Sequence, residues 1–128
     1  MRLKLLLLLA ALPAATFAQV GESTYKSVCA SCHSAGVANA PKLGDQKKWG
    51  ALIREGQAVL TAYGYVGIRG MPAKGGKPDL SVEDFADAVA YMVNQSGGKW
   101  PSPDAKTLAA IRTEIEKREK AIAAKARK

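Results

Sequence analysis

Two cysteines three residues apart, with the only histidine of a 128-residue chain directly after the second, constrain this sequence more than any other feature. The stretch reads Cys29-Ala30-Ser31-Cys32-His33. A thioredoxin-like dithiol needs a strand running into a helix, and no segment here alternates as a strand would. A disulfide between residues so close in sequence closes too small a loop to stabilise much. Zinc wants three or four protein ligands, and no second cluster completes such a set. Covalent haem attachment remains, for which Cys-x-x-Cys-His is the known pattern. Cys29 and Cys32 would each give a thioether to one vinyl group of the porphyrin. His33 would then be held under the iron as an axial ligand.

The remaining elements read as all-α. Residues 21–31 form a first helix with Tyr25, Val28, Cys29 and Cys32 on one side. Asp45 caps a short helix carrying Trp49, Leu52 and Ile53, and Gly56 closes it. A brief helical stretch covers 57–63. Glycines at 64, 67, 70, 75 and 76 and prolines at 72 and 78 argue against any regular element over 64–78. The clearest helix follows. Ser81 caps it, Asp84 gives a shortened capping box, and Leu80 staples against Phe85. Val82, Phe85, Val89, Met92 and Val93 line one face, and Gly97 and Gly98 stop it. A domain of about 80 residues built this way buries too little of its surface to stand without a staple. A prosthetic group in its middle meets that need.

The N-terminus has the layout of a secretory signal: Arg2 and Lys4, an apolar run from Leu5 to Leu12, then Pro13 and small residues to Ala18. A spanning helix needs about 20 apolar residues, more than this run supplies. Cleavage after Ala18 is expected, with export to a bacterial periplasm. The 110 residues left hold 17 basic and 11 acidic side chains, a formal balance of +6 that favours acidic partners or anionic surfaces. Nucleic acid is a poor partner class for an exported chain, and no basic–aromatic interleaving of the strand-binding kind is present.

The iron's sixth position needs a second donor. With one histidine, a bis-histidine site within the chain is ruled out. Lysine and tyrosine are possible donors, but Met71 is the better one. It lies 38 residues beyond His33, in a glycine-rich loop long enough to wrap to the other haem face, with Pro72 stiffening the backbone beside it. As core filler it would have no helix to pack into, unlike Met92.

With these residues in place the chain resembles the class I c-type cytochromes, and most of all the cytochrome c5 group. Gly21, Tyr25 and Cys29 reproduce the family's glycine–aromatic–cysteine spacing. "CASCH" is the haem motif, "APKLGD" (40–45) is similar to the post-haem segment, Trp49 falls at the usual tryptophan, "GMPAKGG" (70–76) resembles the methionine loop, and "LSVEDFADAVAYMV" (80–93) the last helix. The resemblance covers residues 20–98. It implies a small class I fold around one covalent haem c and its iron, with Gly21 letting the first helix cross the last near Tyr91. It also implies that Pro41 offers its carbonyl to the free ring nitrogen of His33, and that Lys42, Lys74 and Lys77 flank an exposed haem edge. Some c5 relatives have a further cysteine pair; this chain has none, so no disulfide is expected.

The domain limits expected are a signal over 1–18, a mono-haem domain over 19–100 and a basic amphipathic helix over 101–128. That last helix carries 8 basic and 4 acidic residues over 104–128, a thin stripe of Leu108, Ile111, Ile115 and Ile122, and i,i+4 pairs Glu114–Arg118 and Glu116–Lys120. It reads as solvent-facing, with a weak membrane-surface or partner contact as its use. A His/Met-filled iron has no open site, which points to a monomeric one-electron carrier of a respiratory chain rather than an enzyme. Its partners would be redox proteins with acidic docking surfaces. Two other classes compete: a haem sensor or peroxidase-like enzyme with a displaceable Met71, and a cytochrome subunit of a larger complex.

Overall fold

The computed structural model describes residues 20–128, so the signal expected over 1–18 lies outside the described residues. Five helical elements carry the fold, and among the described residues no strand forms beyond a single bridge between Ile68 and Met71. Helix α1 covers 22–33 in three pieces: an α-turn Glu22–Thr24, a π-helical segment Tyr25–Cys29, and an α-turn Ala30–His33. Helices α2 (Gln46–Ile53), α3 (Gln57–Val66), α4 (Val82–Gln95) and α5 (Ala105–Ala126) follow.

Helix starts follow local chemistry. The side chains of Asp45, Ser81 and Asp104 each accept a bond from the backbone N–H three residues on, at 3.1, 3.1 and 2.8 Å. Each satisfies a donor that the first turn would otherwise leave unpaired. Leu80 is buried in the same cluster as Phe85, as a staple requires. α1 departs from the regular helix expected of it. The Ala30 N–H reaches back five residues to the Tyr25 carbonyl, a widened turn typical of functional sites.

α1 and α4 cross at Gly21. A Cβ there would overlap the carbonyl of Asp87, so only glycine lets the two backbones touch. The crossing lies one turn before Tyr91, where the resemblance had put it. Tyr91 instead packs on Tyr25, ring centres 5.4 Å apart. Around this contact Tyr25, Cys29, Trp49, Phe85, Val89, Met92 and Val93 form the main core.

Two expectations are corrected. α3 does not stop at Tyr63 but runs through Gly64 to Val66. Gly64 serves close packing rather than a turn: a Cβ there would stand 3.0 Å from the Phe85 ring. Nor is α5 solvent-facing along its length. Ile111 and Ile115 are buried with Ala62, Val82 and Ala86 in a second core, with Leu108 packed beside them. Ile122, further along, stays 49% exposed. The apolar stripe needs a partner face, and α3 supplies it. Arg112 also pairs with Glu83 of α4.

Gly21→Val should lower the unfolding free energy by about 3 kcal/mol through overpacking at a backbone contact, measured by guanidinium denaturation of the haem-loaded protein. A loss below about 0.5 kcal/mol would show that the crossing tolerates a side chain. Ile111→Ala should cost about 2–4 kcal/mol as a buried truncation, and Ile122→Ala almost nothing. Equal effects of the two in the same measurement would place α5 away from α3.

Candidate haem site

α1 ends where the site begins. Cys29 is 5% exposed and Cys32 half-buried, both as free thiols. Burial pushes the Cys29 thiol up to about 11, so before a thioether forms it is protonated at neutral pH. His33 is buried at the end of the same helix.

The loop after His33 orients its ring. Its Nδ1 lies 2.8 Å from the Pro41 carbonyl. A carbonyl can only accept, so Nδ1 carries a proton, and in the neutral ring Nε2 keeps its lone pair. The loop is pinned at two further points: the Leu43 N–H donates to the His33 carbonyl at 2.8 Å, and the Trp49 indole N–H to the Lys42 carbonyl at 2.9 Å. Trp49 is 3% exposed, and its ring centre lies 6.1 Å from that of His33. These contacts fix the tautomer and direction of one imidazole, as a metal-ligating histidine requires.

Met71 arrives from the far side of the sequence. Ile68 and Met71 exchange backbone bonds of 3.1 and 2.9 Å, closing a tight turn over Arg69 and Gly70. Arg69 is held at φ 53°, a left-handed conformation that costs a non-glycine residue roughly 1–2 kcal/mol. Ala73–Gly76 then forms a short 3₁₀ turn, so the segment expected to lack regular structure is a sequence of tight turns. A Cβ on Gly64 would come within 3.5 Å of the Met71 methyl, which marks Gly64 as a site residue that the motif pattern passed over.

All of these groups line one cavity of about 370 Å³: Cys29, Cys32 and His33 from α1, Pro41 and Trp49 from the next segment, and Met71 from the turn. Leu52, Leu60, Phe85, Val89 and Met92 supply apolar wall. Tyr63 of α3 also lines it, and no motif had singled that residue out. Two thiols spaced for two thioethers, an imidazole with a free Nε2 and a thioether sulfur around an apolar cavity fit a covalently bound haem.

Of the lysines expected near the edge, Lys42 is exposed and makes no ion pair among the described residues. Lys77 is paired with Asp79 at 2.8 Å. Lys74 donates to the Pro78 carbonyl at 3.1 Å and lies 5.1 Å from the Tyr65 ring centre.

Comparison with known proteins identifies the family. Residues 16–92 match the family model described as cytochrome c oxidase, cbb3-type, subunit III. Cytochrome c-555 of Chlorobaculum thiosulfatiphilum is 47% identical over 83 residues, covering 62% of this chain and 96% of that protein. Cytochrome c-555 of Prosthecochloris aestuarii is 43% identical, over 59% and 84%. Cytochrome c5 of Azotobacter vinelandii is 34% identical over 77 residues, 59% and 93%. A chain in the crystal structure of an electron transfer complex of nitrite reductase with cytochrome c superposes with a TM-score of 0.58 at 40% identity, over 60% of this chain and 94% of that one. The all-α fold, the cavity and these matches together establish that the chain belongs to the class I c-type cytochromes, which carry covalently bound haem c with its iron.

Proposed function

We propose that the protein is a periplasmic one-electron carrier in which His33 and Met71 are the axial ligands of a single haem iron, and that it is not an enzyme. The observation that carries this reading is the His33–Pro41 bond, which in the neutral ring leaves Nε2 bare on a residue lining the same cavity as Met71. When bound, haem c supplies a one-electron ferric/ferrous couple. Cys29 and Cys32 would hold it through thioethers. His33 Nε2 would donate to the iron while the Pro41 carbonyl keeps the imidazole from rotating. Met71 sulfur, a soft donor held by the Ile68–Met71 turn, would favour the ferrous state. Val89, Met92 and Phe85 would exclude water and so disfavour the more highly charged ferric state.

The division of labour follows the chain: an export signal over 1–18, the redox domain over 19–100 and a basic extension over 101–128. The related chain whose structure was solved in a complex with nitrite reductase supports redox proteins as the partners of this one. Lys42, exposed and unpaired among the described residues, is the lysine best placed to meet an acidic partner surface. No helix among the described residues is long and apolar enough to cross a membrane.

Met71→Ala should abolish the methionine-to-iron charge-transfer band of the oxidised protein and lower its reduction potential, with the covalent haem mass unchanged. A variant that keeps both would reject methionine ligation. Electron-transfer rates with an acidic redox partner should fall as ionic strength rises past about 0.1 M, where the Debye length is about 10 Å. A flat salt response in stopped-flow mixing would rule out docking through the basic surface.

A further inference from the structure

Arg118 occupies a place that neither an exposed ion pair nor the family core accounts for. The spacing of α5 offered it Glu114 as a partner, yet Glu114 lies 3.8 Å from Lys117 instead. The Arg118 guanidinium carbon stands 3.1 Å from the centre of the Tyr63 ring. Its Nε is shielded from solvent and has no hydrogen-bond partner among the described residues. Tyr63 is itself a wall of the cavity that holds His33 and Met71. The cation therefore lies against one wall residue of the redox site. Ile111 and Ile115, buried two turns and one turn earlier, hold α5 so that this placement is fixed. The family match ends at residue 92, so α5 is an addition to the matched core.

A fixed positive charge beside a redox centre acts on its equilibrium. The ferric site carries one more unit of positive charge than the ferrous site, so a nearby cation raises its energy more. An exposed lysine is damped by solvent and salt. Arg118 is half-buried and has no anion within ion-pairing distance among the described residues. Its planar head also lies on the aromatic face, where the ring quadrupole favours a cation.

We propose that Arg118 is a positioning residue for the redox site: it clamps Tyr63 against the cavity and supplies a fixed charge that favours the reduced state. The proposal rests on the haem reading above. Potentiometric titration of the haem-loaded full chain tests it. Arg118→Gln should lower the ferrous-to-ferric ratio at a given potential about threefold, which is about 28 mV at 59 mV per tenfold change. Arg118→Lys should keep more than half of the wild-type advantage. Lys120→Gln, which removes an exposed charge two positions on, should leave the potential where it was. All three should retain the methionine-to-iron band. Should Arg118→Gln fail to fold, Arg118→Met removes the charge while keeping an unbranched apolar stem. The proposal is overturned if the neutral variant keeps the wild-type potential, if Arg118→Lys falls as far as it does, or if Lys120→Gln falls equally. Failure of the haem reading is distinguishable, because it would appear in the wild-type spectrum before any variant is compared.

Discussion

The backbone contact at Gly21 is the constraint on which the site depends. α1 carries both cysteines and His33, and α4 carries Phe85, Val89 and Met92 of the cavity wall. Both helices are needed around one cofactor, and both must lie close enough to bury Tyr25 and Cys29 between them. A side chain at position 21 would drive the Asp87 carbonyl away and separate the two walls. The π-helical segment that follows runs over Tyr25–Cys29 and widens the winding of α1 as far as the first cysteine, with Tyr25 and Cys29, four residues apart on one face, both buried.

Once α1 is placed, the segment after it needs only a few bonds to complete the histidine side. Pro41 has no N–H to offer but a carbonyl that accepts from His33, and Trp49 anchors the Lys42 carbonyl beside it. Gly44 donates to the buried Ser96 hydroxyl at 2.9 Å, which ties the same segment to the end of α4. Three consecutive parts of the loop are therefore held by three different elements. An imidazole oriented this way cannot swing to offer Nδ1 to a metal without breaking a bond that burial makes costly to lose.

Much of this was legible in the residues. The Cys-x-x-Cys-His spacing, the caps at Asp45 and Ser81, and the Leu80–Phe85 staple are local signals, and local physics decides them. Glycines were harder, because one residue type serves opposite ends. At Gly64 the missing Cβ admits Phe85 and Met71 to a helix, whereas the sequence suggested a chain break. The π-helical winding of α1 has no sequence signature. The docking of α5 was missed because its stripe was weighed alone. Leu108, Ile111 and Ile115 make a narrow face, but the matching face of Ala58, Ala62 and Val66 lies on α3, fifty residues away. Glu114–Arg118 failed for a similar reason: an exposed i,i+4 pair is worth only about 0.3–0.5 kcal/mol, which an aromatic face nearby can outweigh.

α3 explains how an appended helix can bear on a site it does not line. At about 100° per residue, Ala58, Ala62 and Val66 share one side of α3, and Leu60 and Gly64 the opposite one. The first set packs on α5 and the second lines the cavity. α3 is thus a single helical layer between the extension and the redox site. Tyr63 sits toward the flank between these sides, with its ring at the cavity wall and under the Arg118 guanidinium. Ala62 and Thr61 of this layer are fully buried, and no α5 residue lines the cavity through it. A long side chain reaching round the flank avoids that limit. It delivers charge to the wall without disturbing the helix between.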